Sequence, residues 1–277
     1  MINKKRLIGL IMVIISVFIL AIMLYPLWWL YTSPFKGPTE ISQMPPTFIS
    51  LKPTLMNIKI VFENIKILFG MFLNSLYLSI TIPLLQTIVC LLAAYAFAKL
   101  RFPGSNVIFV LFMASLMIPP QLTMITNFIT ISKWKLLNTH LSLQLLGIFS
   151  AFAIFLFRQF FMTIPRELED AAKIDGCGTF SNFFRIALPL STPIITINFI
   201  LCFNAVWGDF FSPMLFLRKM DKMTIPIGLT VIQGTYNTQS PGVMITTLAL
   251  STLPVLIMYF IFRKKLIEGI STTGIKM

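Results

Sequence analysis

A charged segment, RELEDAAKIDGCGTFSNFFRIALP (Arg166–Pro189), separates two long apolar runs of the chain. It follows Pro165, which suits the first turn of a helix because its missing N–H would be unpaired there. Gly176 supplies a stop, as glycine does just past a helix C-terminus. Acidic residues, which the positive end of a helix favours, stand near the start of the segment: Glu167, Glu169 and Asp170. The segment therefore predicts a short charged helix that ends near Gly176.

The predicted helix has one face of low relief. Four residues follow the i, i+3, i+4, i+7 spacing and so share that face: Leu168, Ala171, Ala172 and Asp175. The two alanines would let another protein approach the backbone closely. An amphipathic helix lying on lipid is the alternative, but alanine is a poor membrane anchor compared with Trp, Phe or Leu. The pattern therefore favours a docking helix for a protein partner.

The composition places this helix in a membrane protein. Apolar residues make up 57% of the 277-residue chain and charged residues only 11%, against roughly 25% charged in soluble domains. Uncharged apolar stretches of about 18 or more residues are typical of membrane-spanning helices. Six such stretches occur, at residues 7–31, 71–98, 107–125, 141–157, 186–210 and 243–262. The sequence therefore predicts an all-α membrane protein with six transmembrane helices in a single transmembrane domain, residues 1–277.

The first span must be distinguished from a cleavable signal peptide. A signal h-region is about 7–15 residues long and ends at a small-residue cleavage site. This run stays uncharged from Leu7 until Lys36, and Trp28 and Trp29 occupy the place of such a site. Tryptophan is enriched at membrane interfaces. The segment is therefore predicted to remain as a span.

Lysine and arginine residues give the orientation. With both termini in the cytoplasm, the inner segments carry 13 of the 22 basic residues and the longer outer loops carry 9. This distribution follows the positive-inside rule, so both termini and the loop at residues 158–185 are predicted to be cytoplasmic. The net charge of +13 is then explained by topology and by anionic membrane lipid. Nucleic-acid binding requires a folded basic face, which the sequence does not show, so no nucleic-acid partner is predicted.

The chain shows no energy source of its own. The spans contain one acidic residue, Asp209, whereas ion-driven carriers hold their ions at ionisable residues within the membrane. The sequence has no G-x-x-x-x-G-K-[ST] phosphate-binding loop and no duplicated half. It has no C-x-x-C pair and a single histidine, His140, so no metal site is predicted. We therefore expect an external energy source that acts on the cytoplasmic helix, and the chain itself is not predicted to be an enzyme.

The segment resembles the cytoplasmic motif E-A-A-x3-G-x9-I-x-L-P of the permease subunits of binding-protein-dependent ABC importers. The pattern falls, with its spacing intact, on Asp170, Ala171, Ala172, Gly176, Ile186, Leu188 and Pro189. Asp170 replaces the first Glu, which keeps the charge and shortens the side chain by one methylene. Most of the chain is also similar to the smaller, maltose-type subunit of carbohydrate importers. The matching stretches include Asn74-Ser75, Arg101-Phe102-Pro103-Gly104, Trp207-Gly208-Asp209-Phe210 and Glu268-Gly269.

The resemblance implies a fold, partners and a working cycle. Such importers have the ABC importer permease fold and lie in the bacterial cytoplasmic membrane. They combine two homologous permease subunits, two ATPases that bind ATP and Mg²⁺, and an extracytoplasmic solute-binding protein, so this chain needs no cofactor. Residues 165–180 would form the coupling helix, seated in a cleft of one ATPase, whose closure would rock the spans from inward-open to outward-open. The residues assigned to coupling are Glu169, Asp170, Ala171, Ala172, Asp175 and Gly176.

The resemblance also gives a role to two further segments. The outer loop at residues 218–242 would face the binding protein, with Asn237 and Gln239 near its tip. The tail at residues 263–277 would either reach the ATPase dimer interface or be a frayed terminus.

The implied cargo is a carbohydrate, and an oligosaccharide in particular. Polar and aromatic residues that could line its pathway are Asn204, Trp207, Asp209, Gln121 and Asn74. Packing between helices explains each of them equally well, because polar groups in a bilayer must find partners. One alternative keeps the architecture with a non-sugar solute, such as a sugar phosphate. A more remote alternative is a self-sufficient channel, which the scarcity of ionisable residues in the spans disfavours.

Overall fold

The computed structural model describes residues 4–63, 65–236 and 241–274, and helices form all the regular structure within them. In chain order they are α1 (Lys4–Thr32), α2 (Pro38–Ile41), α3 (Met56–Glu63), α4 (Ile65–Lys99), α5 (Ser105–Ser115), α6 (Pro120–Lys133), α7 (His140–Gly147), α8 (Ala151–Thr163), α9 (Arg166–Ile174), α10 (Thr179–Asn182), α11 (Leu188–Leu190), α12 (Thr192–Trp207), α13 (Phe211–Phe216), α14 (Ile225–Tyr236) and α15 (Pro241–Gly274). Short 3-10 turns lie at Ser33–Phe35 and Met220–Lys222, and a π-helix at Phe183–Ala187 joins α10 to α11. Asn237 and Gln239 lie outside the described residues, as does the last part of the C-terminal tail.

Six membrane spans can be built from these helices. Three stretches are long and apolar enough to cross a membrane without a break. They lie in α1 with the 3-10 turn that follows it, in α4 and in α15: Ile8–Phe35, Ile67–Lys99 and Pro241–Lys264. The other three spans are bent pairs. The angle is 101° between α5 and α6, 44° between α7 and α8, and 72° between the Thr179–Leu190 stretch and α12. The prediction of an all-α membrane protein with six spans is confirmed.

The span boundaries differ from those predicted. The third span runs from Ser105 to Lys133 rather than 107–125, and the fourth extends through Arg158 to Thr163 rather than ending at 157. Helical structure of the fifth already begins at Thr179, inside the loop predicted at residues 158–185. The fourth span continues past its charge because Arg158 has partners. Its Nε donates to the Phe97 carbonyl (3.3 Å), and its guanidinium carbon lies 4.1 Å from the ring centre of Phe109.

The chain divides into two compact units. The first comprises Met1–Leu68 and Gly228–Leu253, and the second comprises Phe69–Ile227 and Pro254–Met277. In the first unit, the buried amide of Asn57 donates to the carbonyls of Pro34 (3.2 Å) and Lys36 (2.8 Å). The hydroxyls of Tyr31 and Thr252 lie 2.7 Å apart. These bonds fix the segment that follows α1 in this unit.

The Glu40 carboxylate organises the loop between α2 and α3 in the first unit. It accepts hydrogen bonds from the Leu51 N–H (2.8 Å) and from the hydroxyls of Thr47 (3.0 Å) and Ser50 (2.9 Å). The Leu51 N–H makes the largest contribution to a lowering of the pKa of Glu40 below its ordinary value, and the two hydroxyls and the charge of Lys36 add to it. The loop is therefore held together by an ionised carboxylate.

The second unit has an aromatic core at the end of α4. Tyr95 on α4 lies 5.5 Å from Phe161 on α8 and 5.0 Å from Phe183 of the π-helix, measured between ring centres. Phe157 and Phe161 are fully buried in the same cluster, with Ile154 and Ala94. This packing fixes the ends of α4 and α8 side by side and so sets the base from which α9 emerges.

Candidate functional site

Helix α9 has the ends that its sequence predicts. Pro165 immediately precedes its first residue, Arg166, and the chain reaches it from an extended residue, Ile164. At the other end Gly176 has φ +80°. The Cys177 N–H donates to the Ala172 carbonyl at 2.9 Å, the six-to-one bond of a Schellman motif. The prediction of a helix that stops at Gly176 is confirmed.

The two sides of α9 differ in burial. Leu168, Asp170, Ala171 and Asp175 are exposed, and the side chain of Ile174 is 87% exposed. Two residues three apart face inward and are buried, Glu169 and Ala172. The prediction that Ala172 shares the low-relief outer face was therefore wrong. Ala172 lies about one helical turn after Glu169, and the two residues form the buried stripe of α9. This stripe packs against the rest of the second unit.

Glu169 meets Lys99 in a buried ion pair. Lys99 stands in the last turn of α4, and its Nζ lies 2.8 Å from Oε1 of Glu169. The side chains are only 5% and 9% exposed, respectively. The same Nζ also donates to the carbonyl of Ile164, at 2.8 Å. Ile164 is the C-cap residue of α8. Three helices, α4, α8 and α9, thus meet at one ammonium group.

Sequence reasoning did not identify Lys99 as a site residue. In the sequence, Lys99 is one of the 13 basic residues predicted to lie on the inner side of the membrane. The pairing joins positions 99 and 169, and no spacing rule connects residues so far apart. The available signal was the position of Lys99 at the predicted cytoplasmic end of a span, on the same predicted side as the acidic residues of the 158–185 loop.

A cavity of about 730 Å³ opens beside this junction. Charged residues of both signs line it: Lys99, Arg101, Arg166, Glu169 and Asp170. The aromatic rings of Phe97 and Phe102 line it as well. The Arg101-Phe102-Pro103-Gly104 stretch forms the turn between α4 and α5, and Gly104 has φ +78°. The rings of Phe102 and Phe97 lie 5.7 Å apart. Two separate stretches of the resemblance therefore meet here, the turn after α4 and the start of α9.

The chain after α9 is irregular. Helix α10 begins at Thr179 with Gly178 as its N-cap, and no side chain caps it; Thr179, a residue type that often caps helices, is the first residue of the helix instead. The π-helix Phe183–Ala187 follows and includes Ile186 of the motif. Ser191 then donates its hydroxyl to the Ala187 carbonyl at 2.6 Å, at the 72° bend into α12. Non-α turns and bends of this kind often mark functional hinges.

The residues predicted for a substrate pathway are not gathered in one cleft. Asn74 donates to the carbonyls of Asp221 and Met223, both at 2.9 Å, and fixes the loop there. Trp207 is buried and stacks on Phe203, with ring centres 5.9 Å apart. Asp209 accepts from the Ser212 N–H at 3.1 Å and lines a small cavity of about 160 Å³, which none of the other four lines. The remaining two are exposed on the chain: Gln121 and Asn204.

Other polar groups of the spans pair between helices. Gln86 on α4 donates to the Gly147 carbonyl at the end of α7 (3.0 Å). Gln144 on α7 donates to the hydroxyls of Tyr77 (3.1 Å) and Thr81 (2.9 Å) on α4. These bonds satisfy amides that would otherwise be unpaired in an apolar setting. The structure thus supports interhelical packing for these amides. Within residues 4–63, 65–236 and 241–274, no three His, Cys, Asp or Glu side chains come together as a metal site would need.

Comparison with known proteins identifies the family. The profile of the family described as binding-protein-dependent transport system inner membrane component matches residues 86–268. The arabinooligosaccharides transport system permease protein AraQ of Halalkalibacterium halodurans is 34% identical over 73% of this chain and 72% of its own length. The sn-glycerol-3-phosphate transport system permease protein UgpE of Shigella flexneri is 32% identical over 72% of each chain.

A solved structure has the same fold. A chain of a bacterial ABC transporter involved in the import of the acidic polysaccharide alginate superposes with a TM-score of 0.81. The match covers 95% of this chain and 98% of that one, at 21% sequence identity. The resemblance to importer permeases, drawn from the motif on α9, is thus confirmed. This protein belongs to the family of binding-protein-dependent transport system inner membrane components.

Proposed function

We propose that this chain is the permease subunit of an ATP-driven importer that moves a carbohydrate, in particular an oligosaccharide, from an extracytoplasmic binding protein into the cytoplasm. The observation that carries the proposal is the outer face of α9. Leu168 and Ile174 are 46% and 87% exposed there, beside the acidic Asp170. Exposed apolar side chains beside charges on a surface helix suit a protein interface. Such a face fits the cleft of an ATPase.

The two sides of α9 have different tasks in this proposal. Asp170, Ala171 and Asp175 are exposed and contact the ATPase. Glu169 and Ala172 are buried and hold the helix on the permease. Gly176 allows the chain to turn away at the end of the helix, in a backbone conformation that favours glycine. ATP and Mg²⁺ bind in the separate ATPase, so this chain supplies movement rather than catalysis.

The complete importer contains further subunits. A homologous second permease, two ATPases and an extracytoplasmic binding protein join this chain in a bacterial cytoplasmic membrane. Residues 1–277 form a single transmembrane domain with both termini in the cytoplasm. The excess of lysine and arginine on the inner segments, 13 of 22, supports this orientation. It places α9 on the side where ATP is available.

The nature of the cargo rests on the relatives. The name of AraQ refers to arabinooligosaccharides, and the structural neighbour belongs to a transporter involved in the import of alginate. A carbohydrate is therefore favoured. The name of UgpE refers to sn-glycerol-3-phosphate, a phosphorylated polyol, which keeps a phosphorylated non-sugar solute as the second candidate. The side chains of Gln121 and Asn204 are exposed, so they are the candidate pathway residues that a cargo molecule could reach most easily. Asp209 is next, because it lines a cavity.

The test measures ATP hydrolysis by the reconstituted complex. The complex of this chain with its second permease and ATPases is placed in liposomes with the binding protein, and a panel of oligosaccharides and glycerol-3-phosphate is added. We expect one solute-loaded binding protein to stimulate hydrolysis. Gly176→Arg should abolish the stimulation, because a large charged side chain at φ +80° strains the turn and keeps α9 from its cleft.

The matched control is Gly178→Arg. It adds the same charge two residues away, where φ is −71°, and should retain at least about half of the stimulation. Stimulation by glycerol-3-phosphate alone would replace the carbohydrate with the second candidate. If the Gly176→Arg complex responds to its cargo as the wild type does, or if no ATPase co-purifies, the proposal is wrong.

A further inference from the structure

Lys99 and Glu169 form the most buried ion pair in the part of the chain that the structure describes. The pair lies where the ends of three helices come together. Lys99 reaches from the last turn of α4 to the end of α8 and to the inner side of α9, with both polar contacts at 2.8 Å. A charge removed from water is costly to leave without its partner. The three helix ends are therefore tied to one another at this point.

Arg158 adds a second contact between the ends of α4 and α8. Arg158 on α8 donates to the Phe97 carbonyl in the last turn of α4, where helix carbonyls lack a partner within the helix. Helices α4 and α8 are thus linked in both directions. Lys99 of α4 bonds to the end of α8, and Arg158 of α8 bonds to the end of α4. Aromatic packing of Tyr95 on Phe161 lies one turn deeper.

The other end of α9 is built differently. Its exit runs through Gly176 in a left-handed conformation, the π-helix Phe183–Ala187 and the 72° bend before α12. No ion pair with an atom separation within 4.0 Å is found in the described residues of that exit. The N-terminal side of α9 is therefore held by an ion pair and hydrogen bonds, whereas its C-terminal side connects through a left-handed glycine and a π-helix whose Phe183 packs on Tyr95.

We infer that Lys99 and Glu169 are positioning residues that make α9 move together with the cytoplasmic ends of α4 and α8. In this arrangement a push on α9 is passed directly to α4, the longest helix of the second unit. The inference rests on the proposed function, because it assumes that a partner ATPase moves α9. It assigns to the buried stripe of the helix a task distinct from docking.

The test separates this task from folding. Single changes leave one buried charge without its partner and can prevent assembly, so the decisive variant removes both charges, Lys99→Met with Glu169→Leu. Apolar replacement of a whole buried pair commonly preserves stability. The reconstituted complex is assayed for co-purified ATPase, melting temperature, basal ATP hydrolysis, and hydrolysis stimulated by loaded binding protein. Lys133→Met is the matched control, since Lys133 is also a last-turn lysine but is exposed.

We expect the double variant to assemble with wild-type ATPase content and melting temperature. Its ratio of stimulated to basal hydrolysis should fall at least about fivefold, and cargo transported per ATP should fall with it, while Lys133→Met keeps the wild-type ratio. A double variant that couples like the wild type overturns the inference and leaves the proposed function standing. A wild-type complex that shows no stimulation overturns the proposed function itself. A melting temperature that falls together with the ratio assigns the pair a structural role only and also overturns the inference.

Discussion

Single residues decide whether α9 can end where it does, and Gly176 is the clearest case. No heavy atom lies within 4 Å of a Cβ added to it, so the cost of Gly176→Ala is conformational rather than steric. At φ +80° an L-residue is disfavoured by about 1–2 kcal/mol. We expect hydrogen exchange of the Cys177 amide, which closes the Schellman motif, to accelerate accordingly. Gly178→Ala, at φ −71° and equally free of contacts, should leave that exchange unchanged.

Glu40 gives a prediction in acid. Its folded-state pKa is lower than its ordinary value of 4.5, so its contribution to loop stability is complete above that value and is lost as the pH falls through the lower folded pKa. The protection of the Leu51 amide, corrected for the intrinsic exchange rate, should therefore drop on acidification. Glu40→Gln should show weak protection that does not depend on pH. Equal pH profiles for the two proteins would contradict the role given to this carboxylate.

At the scale of helices, the sequence did not predict which of the spans are bent. The α5–α6 break falls at Pro119 and Pro120, where prolines were visible. Yet α1, α4 and α15 contain Pro26, Pro83 and Pro254 and continue as single helices. Hydropathy reports how apolar a stretch is, and a proline permits a bend without imposing one. Neither property therefore distinguishes the three bent spans from the three unbent ones.

Close contact between helices gives a further prediction, at Gly147. A Cβ added there would lie 2.5 Å from Cγ2 of Ile82, so Gly147→Ala forces α7 away from α4. Overpacking of this kind costs about 1–3 kcal/mol, which should appear as a lower melting temperature of the purified complex. Ile82→Ala removes the clashing methyl, so the double variant should be more stable than the sum of the single effects indicates. Gly70→Ala, in α4 with nothing within 4 Å, is the control. Simple additivity would refute the contact.

For the whole molecule, local features of the sequence were enough to predict the fold class and the position of α9. Hydropathy, charge asymmetry and helix-end signals such as Pro165 and Gly176 depend only on neighbouring residues. Contacts between distant residues were not accessible in this way. The amide of Asn74 binds carbonyls of Asp221 and Met223, and Lys99 binds Glu169. The sequence offers such polar residues many possible partners, and only the folded chain selects among them.

The separation of α9 into a buried stripe and an exposed face has a consequence for how such importers diversify. Substitutions at Leu168, Asp170, Ala171 or Ile174 change what a partner meets, while Glu169 and Ala172 keep the helix seated on its own subunit. Under the proposed function, the choice of partner and the seating of the helix are encoded at different positions of the same nine-residue helix. In the proposed importer, a different ATPase would be accommodated by exchanging the exposed positions alone, and variants designed to retarget this permease should keep the buried ones.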